Sequence, residues 1–409
     1  MRVAIIHDYL NQYGGAERVL ESFCELFPDA PIYTLFYDEE KTLGRFKGKK
    51  IITSFLDMNW IATSRTSRND RKEATMTGGA GGIIHKFVIN HHRLFIPLMP
   101  IAALSMKVDS DFDVVLSSSA GFGKGMRVGK NTIHISYCHT PLRYAWEQKN
   151  YLRNAISNFS RFFFKKSRIL DWFCQSGQFL ISKPILNTLR WWDYHAGRKP
   201  QKLIANSKYI AEKIKNYYKK EADIIYPPVD TEKFCIKPKV KKGDYFLAVG
   251  RLIHYKKFDL IIQAFNKLNL PLLIVGNGPE LENLKQLNKS SKIEFLTSVS
   301  DEQLIILYNG AQAFIFPQVE DFGLVAAEAQ ACGTPVIALN QGGGREIVED
   351  SKTGILFNNQ NTDDLIMAIK RFQIKQFDQK LIRESALRFS KTKFKKAILR
   401  AIYEARDRR

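Results

Sequence analysis

Two carboxylates stand in the segment Phe316-Pro-Gln-Val-Glu-Asp-Phe-Gly-Leu-Val-Ala-Ala-Glu328. Glu320 lies in a polar loop after the apolar run Ala313–Phe316, and Glu328 lies one turn into a helix of small residues. Gly333-Thr-Pro then opens another apolar run. The order strand, acidic loop, helix, strand predicts two acids near the C-terminal edge of a parallel sheet, where open α/β folds bind ligands. The spacing Glu-x7-Glu suits a grip on a polyhydroxylated ligand. Glycosidases need carboxylates on both sides of the scissile bond. Glu320 and Glu328 share one loop-helix unit and so one side of any ligand, which fits recognition better than hydrolysis.

Charge of the opposite sign stands at a neighbouring position. Ala248-Val-Gly-Arg-Leu-Ile-His-Tyr-Lys-Lys257 ends a strand and opens a helix. Its Arg251 supplies a fixed guanidinium fork and its Lys256 a mobile ammonium, a combination suited to a diphosphate and its departure. By themselves, though, an Arg and a Lys at a helix start are more often solvated than functional. Gly276 and Gly278, in Val275-Gly-Asn-Gly-Pro-Glu280, and the run Gln341-Gly-Gly-Gly-Arg-Glu346 make further loops that a ligand can approach closely. Near the start, Asn11-Gln-Tyr-Gly-Gly-Ala-Glu-Arg18 carries Gly14 and Gly15 ahead of a helix expected over Val19–Leu26. A helix N-terminus there offers N–H groups to an anion. By itself the segment is equally a plain strand-to-helix turn, and it matches neither Gly-x-Gly-x-x-Gly nor a Walker A loop, so it names no cofactor. Gly78-Gly-Ala-Gly-Gly82 follows no strand and reads as a flexible loop.

These loops need strands to position them. Candidate strands are Val3–Ile6, Val114–Ser117, Ile133–Ser136, Leu203–Ala205, Ile224–Tyr226, Tyr245–Val249, Leu272–Val275, Ile293–Leu296, Ala313–Phe316, Val336–Ala338 and Gly354–Phe357. Near-continuous apolar strands alternating with helices predict parallel sheets covered on both faces. The chain has 409 residues, comfortable for two domains with proper cores. Pro227-Pro-Val-Asp to Pro238-Lys-Val-Lys-Lys-Gly243 has breakers and no periodicity, and is the linker candidate. The expected organisation is one domain over 1–229 and a second over 230–387. A basic C-terminal helix, 388–409, packs back on the first.

Composition is globular, with 45% hydrophobic and 25% charged residues. Five scattered cysteines without Cys-x-x-Cys, and no histidine cluster at zinc spacing, point to a reducing compartment and away from a structural metal. No Asp-x-Asp stands at a strand end in the second half, and Asp109-Ser-Asp111 lies at a turn in the first. The N-terminus turns polar at His7 and Asp8, and the apolar patch Leu94–Leu104 is broken by Pro97 and Pro100. The expected location is cytoplasmic or peripheral, on the cytosolic face of the inner membrane. The net charge of +21 fits solvated lysine faces, or attraction to an anionic surface or ligand. Arg153 to Lys202 interleaves basic residues, among them Lys165, Lys166 and Arg168, with Phe162, Phe163, Phe164, Trp191 and Trp192. That alternation fits either an interfacial surface or a buried aromatic face.

Together Gly250-Arg251…Lys256, Gly276-x-Gly278-Pro279, Phe316-Pro317, Glu320-x7-Glu328, Gly333-Thr-Pro-Val-Ile337, Gly342-Gly343…Glu346 and Thr353-Gly354 resemble the donor domain of family-4 retaining glycosyltransferases of the GT-B fold. In the first half, His7-Asp-Tyr-Leu, Gly14-Gly-Ala-Glu-Arg18, Tyr137-Cys-His-Thr-Pro-Leu-Arg-Tyr-Ala-Trp146, Ala205-Asn-Ser207 and Tyr226-Pro-Pro-Val-Asp230 resemble the bacterial O-antigen and exopolysaccharide mannosyltransferase branch. The resemblance implies two Rossmann-like doubly wound domains facing across a cleft. It implies transfer of a hexose, foremost mannose from GDP-mannose, to a glycan or lipid-linked saccharide acceptor, with no cofactor and no metal. Glu320 would face donor-sugar hydroxyls, and the N–H groups of Phe322, Gly323 and Leu324 would hold sugar and phosphate. Glu328 would bind the ribose, and Arg251 and Lys256 would neutralise the diphosphate. His139 would lie near the donor sugar, and Gly14 and Gly15 would admit phosphate and acceptor. Without the family, His139 is a structural loop histidine. Many relatives carry glycine after the lysine, so Lys257 reads as a mark of the branch.

Three rivals share parts of this pattern. A UDP-hexose-dependent transferase would use the same residues. A nucleotide-sugar epimerase would use a similar cleft without an acceptor, but resembles the Glu-x7-Glu segment less. A nucleic-acid-binding protein would explain the charge but not the glycine loops, and the chain shows no recognition motif for one, so no nucleic-acid partner is expected.

Overall fold

The computed structural model describes residues 1–57, 85–86, 88–147 and 184–407. The glycine run 78–82 and the basic-aromatic residues Lys165, Lys166 and Arg168 lie outside the described residues. The chain divides into two compact units: residues 1–206, 210–224 and 398–409, and residues 207–209 and 225–397.

The first unit holds a seven-stranded sheet of β1 (Val3–His7), β2 (Ile32–Thr34), β3 (Ile51–Thr53), β4 (Val114–Ser119), β5 (Ile133–Cys138), β6 (Lys202–Ala205) and β7 (Asp223–Ile224), in the order β3-β2-β1-β4-β5-β6-β7. Every pairing is parallel, with Val3 opposite Val114 and Val114 opposite Ile133. β1, β4 and β5 are buried along their whole length, as strands covered on both faces must be. The sheet reverses its winding between β1 and β4. Beneath this point the Asp8 carboxylate accepts from Ser119 Oγ (2.8 Å), Ala120 N (2.6 Å) and Gly123 N (2.6 Å), fixing the loop after β4. A fully buried Lys124–Asp193 ion pair of 2.7 Å ties that loop to a helix over residues 184–198. Tyr218 Oη and Trp146 Nε1 donate to the same Asp193 carboxylate at 2.8 and 2.7 Å. A buried pair persists only with such extra hydrogen bonds to offset desolvation.

The second unit holds a six-stranded parallel sheet of β8 (Phe246–Val249), β9 (Leu272–Val275), β10 (Ile293–Leu296), β11 (Phe314–Phe316), β12 (Val336–Leu339) and β13 (Gly354–Phe357), in the order β10-β9-β8-β11-β12-β13. Apolar clusters cover both its faces, one around Phe265, Ile274 and Ile369, the other around Phe314, Ala327 and Phe389. Its winding reverses between β8 and β11.

Three local expectations are corrected. The proline-rich segment after Tyr226 is not a free connection: Val229 and Phe234 are buried in the second unit, and Val229 N donates to Phe389 O at 2.8 Å. The second unit accordingly begins at residue 225. Tyr226 is not in a strand; its ring packs on Phe322 and Phe389, leaving β7 as a two-residue exposed edge. The first helix runs Gly15–Leu26, starting before Val19 because Gly14 N donates to Glu17 Oε2 at 2.8 Å and so caps it early. The last helix, Lys391–Asp407, contributes residues up to 397 to the second unit and the rest to the first.

Candidate active site

In the second unit the loops after β8 and β9 run side by side. Gly250 N donates to Val275 O (3.0 Å), Leu252 N to Asn277 O (2.9 Å) and Glu280 N to Leu252 O (3.1 Å). Gly276 makes this approach possible: its φ is +151°, and a Cβ on it would lie 1.9 Å from Gly250 O. Gly278 sits in the same loop, where a Cβ would lie 2.3 Å from Leu252 O. The β8 loop then carries Arg251, exposed and with no hydrogen-bond or ion-pair partner among the described residues, and Lys256 at the end of a single turn, His254–Lys256.

The loop after β11 meets it across the reversal in strand order. Lys256 Nζ lies 2.7 Å from Glu320 Oε1, with 14% and 16% of the two side chains exposed. Gln318 Nε2 donates to the same oxygen at 3.4 Å, and Gly343 N, after β12, donates to Glu320 O at 2.8 Å. Position 343 needs glycine because a Cβ there would fall 1.8 Å from Phe322 O. Phe322 is itself anchored, its ring packed edge-on against Phe389 at 5.1 Å.

Gly323, at φ +103°, caps the helix Leu324–Ala331 and leads into its first N–H groups. Those of Leu324 and Val325 meet no acceptor among the described residues, so this terminus is free to receive an anion. Buried Ala326, Ala327, Ala329 and Ala331 let the helix lie close on the sheet. Glu328, one turn in, is 1% exposed. Burial first, and then the Glu328 carboxylate, push the nearby Cys332 thiol up to about 12. In the second unit Arg251, Lys256, Gly276, Gly278, Glu320, Phe322 and Gly323 thus lie on loops that follow strand C-termini, and Leu324 and Glu328 lie on the helix that continues one of them.

His139, Gly14 and Gly15 belong to the first unit. His139 follows β5, and its Nε2 is 2.8 Å from Ser118 Oγ at the end of β4. Burial above all pushes its pKa down to about 3, so the ring is neutral at physiological pH. Residues to which sequence reasoning gave no role in the site also stand here: His7, Glu17 and Ser118, together with Asp8. The signal available for His7 and Asp8 was a polar pair closing an otherwise apolar strand.

Two doubly wound parallel sheets, the second with basic and acidic side chains paired where its winding reverses, define a two-domain α/β protein of the GT-B class. The family model "Glycosyltransferase Family 4" matches residues 59–233, and "Glycosyl transferases group 1" matches residues 229–393. The chain belongs to the group 1/family 4 glycosyltransferases. It is 30% identical over 224 residues to an uncharacterized glycosyltransferase of Methanocaldococcus jannaschii, covering 53% of this chain and 62% of that one. It is 31% identical over 170 residues to a GDP-mannose-dependent alpha-(1-6)-phosphatidylinositol monomannoside mannosyltransferase of Mycolicibacterium smegmatis, covering 35% and 44%. The chain therefore spans about half the length of the curated relatives it matches. Among solved structures, Anabaena Alr3699/HepE in complex with UDP superposes with a TM-score of 0.63 at 16% identity, over 99% of this chain and 100% of that one. That likeness is one of fold. No helix among the described residues is long and apolar enough to cross a membrane.

Proposed function

We propose that the chain is a retaining hexosyltransferase that moves mannose from GDP-mannose to a glycan or lipid-linked saccharide during cell-surface polysaccharide synthesis. The observation that carries this reading is the Lys256–Glu320 pair beside Arg251, which has no partner among the described residues, at the point where the second sheet reverses its winding. A nucleotide sugar needs cationic groups for its diphosphate and an acceptor of sugar hydroxyl protons within a few ångströms of each other, and this pair supplies both.

In this reading Arg251 and Lys256 hold the diphosphate, while the N–H groups of Phe322, Gly323 and Leu324 receive sugar and phosphate oxygens. Glu320 accepts from the sugar hydroxyls and Glu328 from the ribose. The bond from the anomeric carbon to the diphosphate oxygen breaks as an acceptor hydroxyl forms a new bond on the same face. The hydroxyl proton passes to the departing phosphate. Positive charge from Arg251 and Lys256 stabilises that leaving group without a metal. The mannosyltransferase of Mycolicibacterium smegmatis supports GDP-mannose as donor. UDP-hexose is the second candidate, since the Anabaena relative by fold is described with UDP. The +21 charge supports a peripheral contact with anionic lipid on the cytosolic side.

A thermal-shift screen against GDP, UDP, ADP and their sugars tests the reading, because a ligand that binds only the folded state raises its melting temperature. GDP and GDP-mannose are expected to give the largest shifts. A larger shift with UDP-sugars transfers the proposal to that donor, and no shift with any of them sinks it. Conversion of the free nucleotide sugar without acceptor would instead identify an epimerase.

A further inference from the structure

A line of buried polar groups in the first unit joins the glycine turn to His139. Gly14 N donates to Glu17 Oε2 at 2.8 Å, and Glu17 Oε1 lies 3.5 Å from His7 Nε2. His7 Nδ1 is 3.2 Å from Ser118 Oγ, and Ser118 Oγ is 2.8 Å from His139 Nε2. His7, Glu17 and Ser118 are each at most 2% exposed, so water does not compete for their hydrogen bonds. The chain crosses the reversal in strand order, since His7 ends β1 and Ser118 belongs to β4.

We propose that Glu17, His7 and Ser118 are positioning residues that decide which nitrogen of His139 carries its proton. The carboxylate of Glu17 can only accept, so when His7 carries a single ring proton that proton sits on Nε2, toward Glu17, and leaves Nδ1 bare. Ser118 then donates its hydroxyl proton to His7 Nδ1 and accepts from His139 Nε2–H. His139 is held as the Nε2–H tautomer with Nδ1 as an acceptor, and Nδ1 has no partner among the described residues. Each group has one remaining role once its neighbour is fixed, which is how a buried network transmits direction. Acceptance of a sugar hydroxyl by Nδ1 rests on the transferase reading above; the relay itself does not.

The inference makes an unusual demand of a near-isosteric variant. In Glu17→Gln the Gly14 N–H still requires an oxygen, so the amide turns its NH2 group toward His7 Nε2. His7 must then carry its proton on Nδ1 and donate to Ser118, and Ser118 must donate to His139 Nε2. His139 is forced into the Nδ1–H tautomer. Long-range proton–nitrogen NMR of histidine-labelled full-length protein reads this directly at about pH 8, above the ordinary histidine range, with His139 assigned by its loss in His139→Asn. The expected result is Nε2–H in the native protein and Nδ1–H in Glu17→Gln. The same protonated nitrogen in both, or Nδ1–H already in the native protein, overturns the proposal. Ser118→Ala supplies a second test that survives misfolding of the first variant. Removing the acceptor should expose the His139 Nε2 proton to rapid solvent exchange, and a proton signal that persists unchanged also overturns it. Neither readout needs a donor or turnover, so it can fail or succeed independently of the transferase assignment.

Discussion

Lys256 Nζ and Glu320 Oε1 lie 2.7 Å apart, joining the loops that follow β8 and β11, which are neighbours in the sheet but not in sequence. The ammonium is satisfied by the carboxylate. A bound diphosphate would share it and leave Glu320 turned to the sugar. Lys256→Ala should therefore weaken GDP binding about ten- to a hundredfold, the range for one charge-assisted contact. Isothermal titration of both proteins with GDP measures this, and equal affinities would remove Lys256 from the site.

The two glutamates should separate kinetically. In the proposed reading Glu320 faces the transferred sugar, so Glu320→Ala is expected mainly to lower kcat. In the same reading Glu328 holds the nucleoside, so Glu328→Ala is expected mainly to raise the donor KM. Near-native kinetics in both variants would refute the assignment.

Charge neutralisation by Arg251 and Lys256 predicts that EDTA leaves initial rates unchanged. A strict requirement for added divalent cation, restoring activity after chelation, contradicts that prediction.

Gly276 is constrained by backbone on the facing loop. In Gly276→Ala the new Cβ would meet Gly250 O at 1.9 Å, and neither carbonyl nor loop can rotate away as a side chain would. The expected cost is about 1–3 kcal/mol, with donor affinity falling because the same loops carry Arg251 and Lys256. Scanning calorimetry showing an unchanged melting profile would indicate that the two loops part freely.

His134 gives the pH dependence of stability a sign. Burial, with Lys199 and Lys220 nearby, pushes its pKa from 6.5 down to about 3, and its ring is paired with Ser117 Oγ at 3.0 Å. Below 6.5 the unfolded chain takes up a proton here that the folded chain does not. Stability from this site is complete above that pH and falls toward pH 3, by at most about 1.4 kcal/mol per pH unit. His139, also lowered to about 3, acts in the same direction. Urea midpoints at about pH 7.5 and about pH 5 should differ less in His134→Gln than in the native protein. An identical difference would assign the acid sensitivity elsewhere.

Much of the fold was legible because buried parallel strands write themselves as short apolar runs. Leu272–Val275, Ile293–Leu296 and Gly354–Phe357 begin and end where the pattern places them. β2 and β3 were not legible. Each has three residues, Ile32–Thr34 behind Pro31 and Ile51–Thr53 behind a lysine-rich turn, too short for either periodicity to register. Tyr226 read as strand because an aromatic after Ile224-Ile225 fits one. Tertiary packing against Phe322 and Phe389 claimed the ring instead.

The sequence by itself determined the parallel α/β class, the two groups of strands and the chemistry waiting at their ends: Arg251, Lys256, Glu320, Glu328 and the glycines between them. Those features depend on residue type and local spacing, which a linear pattern carries. The tertiary structure decided who meets whom. Lys256 reaches Glu320 only because β8 lies beside β11, and His7 reaches Ser118 only because β1 lies beside β4. Strand order is set by how whole sheets bury their faces, and no hydrophobic period records it.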